Sequence, residues 1–574
     1  MTGAQLLLDR TDAEQGEAAP AGQKPSPRDY FFKARRNAGF DRYDAIIFAI
    51  YIAILAFAIH HYLPFCDEAQ EWLIARDSSL HELLFRRLHY EGHPALWALI
   101  LWVAARLRMP YAGINWMAGA FALPGIYLLL RYAPFPRVFR WLLPFTFFLQ
   151  YQYAAIARPY VLFPALLFAM CILFTLDRPR PVLFGLVTGL LANISLHAAI
   201  VAGVFCLLYL RELRGSKGIF ARRRSLATGA AVFTVLALCS ALVAFPAPDA
   251  AVAYAPDKPV IGPHHFLDKL IPEEKLPQSA PPLDKPLDPN ELKGKAEPIN
   301  PVLHLVAVTL VLGANAACYP IAESNLVAVS FLVAFWLWLR ARGCLRLILP
   351  FLVATGLSVQ IFVYDHHTGI FILSLVAAAW ITLHTTQGET LAQQRLPRIQ
   401  YIFSAIALLV IVLQIGWSWH SIRGDISTPS DPGRSTEAFL AQHYSGKQMA
   451  AFGYQSVSIQ PYATQNLFHN QSHSFWLWSA NVPTNRRRTE ALLQHPDVVV
   501  AADITVGNEI VLDQWLHLVP IGTHPYHEIF EFWQQNGYRE THRSCANEYR
   551  RQGLAYTLCD VVLEPRPGGR VYEP

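Results

Sequence analysis

Apolar residues fall in long runs separated by short polar or basic breaks. A helix that crosses a bilayer needs about 20 predominantly apolar residues. The first run, Ala45 to Leu63, meets that length. Later runs predict spans over 94–108, 111–131, 140–157, 159–176, 181–210, 226–245, 301–319, 324–340, 345–364, 368–385 and 401–418. Residues 1–43 are polar and read as a flexible cytoplasmic tail, with Lys33, Arg35, Arg36 and Arg42 just before the first span. That span starts deep in the chain and reads as an uncleaved anchor. Residues 67–93 then form a first external loop. In it Asp67, Glu71, Trp72, Leu73, Asp77 and Leu80 have roughly helical spacing, which predicts a short helix lying on the membrane.

The basic breaks constrain topology. Arg211, Arg214, Lys217, Arg222, Arg223 and Arg224 form the strongest basic loop, and Arg340, Arg342 and Arg346 the next. Both are cytoplasmic if 181–210 crosses once and 301–319 does not cross, giving eleven crossings. Two helices in 181–210 plus a span at 301–319 give thirteen, with the same side for the C-terminus. Eleven is preferred, although Arg131, Arg137 and Arg140 fit neither scheme. Residues 246–300, rich in Pro, Asp and Lys, predict a long external loop, either disordered or a lid.

From about 420 the pattern becomes that of a soluble domain. Met449–Phe452, Val498–Ala502 and Tyr556–Leu563 read as short strands, with helical patterns at 435–443, 486–494 and 527–536. The predicted fold is therefore mostly α: a polytopic transmembrane helical domain over 44–420, followed by a small extracytoplasmic α/β domain over 421–574. The 574 residues are 53% hydrophobic and 16% charged, which sets the chain apart from ordinary soluble proteins. The net charge of +5 resides in short loops, so it reports topology and not a nucleic-acid partner. The eight cysteines lack metal-site spacing, and Cys171, Cys206 and Cys239 lie in apolar runs. Cys545 and Cys559 can pair if the C-terminal domain is extracytoplasmic.

Five stretches can carry chemistry. Asp67-Glu68 stands at the mouth of the first span. A carboxylate there can serve as a general base or hold a divalent cation, and it can equally be a solvated helix start. Adjacent helical residues point apart, so only one of the two faces a substrate. Tyr90-Glu91-Gly92-His93-Pro94 opens the next span, with His93 as a substrate contact or a packed interfacial residue. His89, Glu91 and His93 alternate but lack a second zinc-type ligand group. Ala157-Arg158-Pro159-Tyr160 puts an arginine, able to fork onto a phosphate, between apolar runs. Asn193-Ile194-Ser195-Leu196-His197 sits within an apolar stretch and faces a cavity or another helix. Asp365-His366-His367-Thr368-Gly369 lies between spans on the same external side as Asp67.

In order and type these elements resemble the GT-C superfamily of integral membrane glycosyltransferases, which includes protein O-mannosyltransferases and bacterial lipid A aminoarabinose transferases. The resemblance covers residues 44–420 and is densest over 60–165. It rests on the acidic pair Asp67-Glu68 after the first span, the Gly92-His93-Pro94 opening of the second, and Arg158-Pro159-Tyr160 before a later one. Leu196-His197 and the Asp365–Gly369 turn are further points of similarity. It implies a sugar donor on a polyprenyl phosphate and a glycan, lipid or protein acceptor. Reaction takes place at the external face of a membrane, the bacterial inner membrane on this reading. Asp67 and Glu68 would be the catalytic pair, with Asp67 as base in an inverting transfer. His93, Arg158, Tyr160, His197, Asp365, His366 and His367 would contact substrate. A divalent cation is compatible with such chemistry, though no dedicated cage is visible. The competing reading is a non-catalytic transporter or envelope-assembly scaffold. Internal repeats, which many transporters carry, are not seen.

Overall fold

A computed structural model describes residues 39–214, 223–248, 250, 306, 310, 313–358, 363, 365–385, 396–478, 495–506, 510–512, 518–520, 527–550 and 553–567. Most of the expected tail, the expected loop beyond residue 250 and the helix expected at 486–494 lie outside the described residues. Helix α1, Arg42–His61, begins at a reciprocal cap. Asp41 accepts from the backbone N–H groups of Tyr43 and Asp44, and the Asp44 side chain accepts from Asp41 N–H. Its 20 residues span about 30 Å, enough to cross a bilayer. Among the described residues, six helices are long and apolar enough to do so. Apolar residues on their outer sides, such as Ile46, Ile50 and Phe57 on α1, are exposed, as lipid-facing residues are. The chain is an integral membrane protein.

After α1 comes α2, Cys66–Asp77. It does not lie loosely on the surface as expected. Glu68, Ala69, Gln70, Trp72, Leu73, Ile74 and Ala75 are all buried, because α3 packs on one side of α2 and the C-terminal domain on another. A π-helical turn, Leu83–Arg87, follows, and Gly92 closes the segment at φ 68°, a left-handed conformation that glycine adopts without strain.

The expected span at 94–108 is α3, Ala95–Arg106, and it does not cross. It has 12 residues, and its last, Arg106, donates to the Arg76 and Ser78 carbonyls at the end of α2. Both of its ends therefore stay at one end of the bundle. Helix α4, Ile114–Tyr132, then runs to the other end, where Arg131 O accepts from Gly39 N–H. There Arg137 pairs with Asp41 and Arg140 with Asp44. The expected span at 140–157 returns without a regular helix. A short helix (Arg137–Leu142), a 3-10 turn (Leu143–Phe145) and a π turn (Phe148–Gln152) succeed one another. Pro144 lacks the N–H that a continuous helix needs, and Thr146 is already extended.

Helix α5, Phe163–Phe174, runs back again. The stretch expected to cross once at 181–210 is two helices, α6 (Pro181–Ala192) and α7 (Leu196–Arg214), packed on one another. The break has a local cause. Ser195 caps α7 by accepting from Ala198 N–H, and Asn193 bonds Gly189 O on α6 and Leu236 O on α8, Arg223–Ala244. Pro320 O accepts from Gln414 and the Glu323 carboxylate from Trp417, both on the last long helix. Helices α9 (Asn325–Ala341), α10 (Leu349–Ser358), α11 (Asp365–Thr385) and α12 (Leu396–Ser427) complete the bundle. Arg131, Arg137 and Arg140 now share an end with Arg211, Arg214 and Arg342.

The C-terminal domain is α/β. Its sheet has the order β1-β2-β6-β5, with β1 (Met449–Phe452) parallel to β2 (Val498–Val506) and the other pairs antiparallel. A small hairpin, β3 (Ile510–Leu512) with β4 (Leu518–Pro520), stands apart. Alternation along β1 and β2 serves both faces. Met449, Ala451, Val498 and Val500 meet α13 (Gly433–His443), while Ala450, Phe452, Val499 and Ala501 meet α14 (His527–Gln535). Strands β6 (Gly553–Pro565) and β5 (Tyr538–Arg550) are joined by the Cys545–Cys559 disulfide between directly opposed residues.

Candidate active site

The site lies where α2 meets the C-terminal domain. Asp67 and Glu68 point apart and have different surroundings. Glu68 is buried and accepts four hydrogen bonds: Tyr62 Oη at 2.6 Å, Phe65 N at 3.0 Å, Asn115 Nδ2 at 2.7 Å and Ala157 N at 2.5 Å. Burial pushes its carboxyl up to about 7, against the pull of those donors. It thereby ties α1, α4 and the turn before Arg158 to α2.

Asp67 is the more exposed of the two. Its carboxylate pairs with the Arg158 guanidinium and accepts from Tyr454 Oη at 2.9 Å, a residue of the C-terminal domain. Burial pushes Asp67 up, yet Arg158 and Tyr454 pull harder and hold it below the usual carboxylate range. Arg158, buried at the N-terminus of the Pro159–Leu162 turn, also stands 3.4 Å from Glu71. Glu71 is pushed up to about 7 by burial, against Arg158. Glu91 accepts from Gln70 Nε2 at 2.8 Å and is pushed up to about 8 by burial. These neighbouring acids lie too close in low dielectric to ionise independently.

The histidines named from sequence gather on the other side of Arg158. His93 is within electrostatic reach of Arg158, Asp67 and His197, and burial, then Arg158, pushes it down to about 3. His197 and His367 stack at 4.0 Å between ring centroids, and His366 lies 4.2 Å from His367. Tyr160 packs against both His366 and His367 and stacks on Tyr153, whose hydroxyl donates to His366 O at 2.5 Å. Residues 67, 93, 158, 160, 197, 366 and 367, dispersed in sequence, thus converge. Asp365 opens α11, and its side chain is outside the described ones. His89 does not join the group and contacts Phe245 O instead. Among the described residues no group of three or more His, Cys, Asp or Glu side chains is arranged to hold a cation.

Sequence reasoning missed Gln70, Glu71, Tyr454 and Trp476 as parts of the site. Gln70 exchanges two hydrogen bonds with the Trp476 backbone, accepting from N–H at 2.8 Å and donating to C=O at 2.6 Å. Glu71 was recognisable, one helical turn after Asp67 on the same face. Tyr454 and Trp476 carry no local signal, since they arrive from 387 and 406 residues away.

No family model matches this chain, and no curated protein matches it. Among solved structures, the mycobacterial arabinofuranosyltransferase AftD is similar over 95% of this chain, with 12% identity and a TM-score of 0.37. The chain spans 41% of the length of that protein. A likeness so distant carries no argument about activity, and the functional reading rests on the residues of the site.

Proposed function

We propose that this membrane protein is a glycosyltransferase of the GT-C type, moving a sugar from a polyprenyl-phosphate donor to an acceptor hydroxyl with inversion. The observation that carries this reading is the convergence of Asp67, Arg158 and the His93–His197–His366–His367 group at one end of an apolar bundle. In the reaction the acceptor O–H attacks the anomeric carbon as the bond from that carbon to the phosphate oxygen breaks. The acceptor proton passes to Asp67, and the polyprenyl phosphate leaves with the bonding pair. Arg158 balances the charge growing on that phosphate. His93, neutral at physiological pH, contributes hydrogen bonds and no charge, while Tyr160, His197, His366 and His367 line the phosphate side. Asp365 opens the same helix end. Glu68, with its lone pairs occupied, acts as a positioning residue for the Arg158 turn and not as a second base.

A lipid-linked donor suits the surroundings. An apolar cavity of about 110 Å³ between α9, α11 and α12 is lined by Phe135, Phe148, Phe335, Trp338 and Leu373, among others. Phe148 packs on Tyr153, the ring that stacks on Tyr160, so an isoprenoid chain there would present its phosphate toward Arg158. The Cys545–Cys559 disulfide supports an extracytoplasmic C-terminal domain, and the clustered arginines at the opposite end support that end as cytoplasmic. The acceptor is a glycan, lipid or protein, and membrane lipid surrounds the bundle.

The test uses the full chain in lipid nanodiscs with synthetic polyprenyl-phosphate sugars and envelope extract as acceptor. Polyprenyl phosphate should be released in step with glycosylated product of inverted anomeric configuration, read by NMR. Absence of release from every such donor would reject the reading.

A further inference from the structure

Three aromatic residues of the C-terminal domain cluster beside Asp67. The Tyr454 ring is 4.9 Å from Trp478 and 6.0 Å from Trp476, and the two tryptophans are 5.9 Å apart. All three are half-buried, neither sealed in a core nor turned fully outward. Two of them are fixed to α2: Tyr454 by its hydroxyl on Asp67, and Trp476 by its backbone on Gln70. The sheet core does not need them, because it closes on Phe452, Phe468, Trp533 and Tyr538.

We infer that Tyr454, Trp476 and Trp478, whose rings are inclined 80°, 50° and 53° to one another, form the acceptor subsite, a carbohydrate platform that holds a sugar beside Asp67. A sugar has an apolar C–H face and a hydroxyl rim. Flat aromatic faces match the first, and a carboxylate at their edge meets the second. The Tyr454 hydroxyl links the two, since it belongs to the platform and also bonds the proposed base. Aromatic rings near a membrane can instead anchor a domain among headgroups. The attachments of Tyr454 and Trp476 turn this cluster onto the Asp67 carboxylate, which a headgroup anchor does not require. The inference deepens the glycosyltransferase reading and rests on it, and it narrows the acceptor from any hydroxyl compound to a glycan.

The experiment measures binding, which needs no turnover. Full-length protein in nanodiscs is titrated with neutral pyranose and furanose oligosaccharides of three to six units, and tryptophan fluorescence is followed. Wild type, Trp478→Ala, Trp478→Phe and Asp67→Asn are compared. Wild type should bind at least one oligosaccharide, Trp478→Ala should bind it roughly tenfold more weakly, and Trp478→Phe should recover most of the loss. Asp67→Asn should still bind it. No binding to wild type, or equal binding to Trp478→Ala, overturns the platform. So does quenching of the rings by brominated lipid, with no response to sugar. Failure of the transfer reading appears elsewhere, as an Asp67→Asn enzyme that still turns over.

Discussion

Four donors aimed at one carboxylate leave it no capacity for a substrate. Glu68→Ala strands the Tyr62, Phe65, Asn115 and Ala157 donors in a buried space, and each stranded group costs about 1–3 kcal/mol. Glu68→Ala should therefore lower the melting temperature in detergent far more than Asp67→Asn does, and equal melting of the two would refute the positioning role. Glu71 and Glu91 give a pH dependence of determinate sign. Both are raised by burial, to about 7 and about 8, so the folded state holds protons that an unfolded glutamate, at about 4.5, has lost. Their stabilisation is full below about 4.5 and falls as pH rises toward 7 and 8. Asp67, held low, acts oppositely and loses its contribution only in acid below the usual carboxylate range. Thermal melts of Glu91→Gln should show a shallower decline between pH 5 and 8 than wild type. An unchanged slope would exclude Glu91 as a source. The acidic pair, Arg158 and the histidines were legible as isolated residues. What they touch was not, because pairing over nearly 400 residues leaves no periodic trace.

Length and composition identified most helices, but they could not tell a crossing from an excursion. Helix α3 is as apolar as a span, and its course shows in Trp102 and Arg106 reaching back to Arg76 and Ser78. Strand β5 escaped notice because Arg539, Glu540, Arg543 and Glu548 give a charged edge strand no apolar alternation. Helices α6 and α8 meet at glycines. A Cβ on Gly185 would lie 2.1 Å from Gly229 O, while one on Gly203 of α7 would touch nothing within 4 Å. Gly185→Val should reduce the yield of folded, monodisperse protein several-fold, and Gly203→Ala should leave it unchanged. Matching yields would refute the close approach.

At the scale of the whole molecule, the C-terminal domain completes the surroundings of Asp67 through Tyr454 and Trp476 instead of hanging from the bundle as a separate module. The corrected path of α3 puts Arg108 at the same end as that domain and Arg340 at the other. Both are exposed, as is Lys447 in the domain itself. In a cysteine-free background that keeps only the disulfide pair, a membrane-impermeant maleimide applied to intact cells should label Arg108→Cys and Lys447→Cys but not Arg340→Cys. Labelling of Arg340→Cys with protection of Arg108→Cys would restore the path read from sequence. The central claim is that Asp67, free of the bonds that occupy Glu68, takes the acceptor proton. The most direct measurement compares single-turnover transfer from a polyprenyl-phosphate sugar by wild type and Asp67→Asn at equal folded protein and saturating donor. A general base is worth roughly 100- to 10,000-fold, and the account predicts a loss in that range with donor binding retained. Transfer by Asp67→Asn within a few-fold of wild type would contradict it.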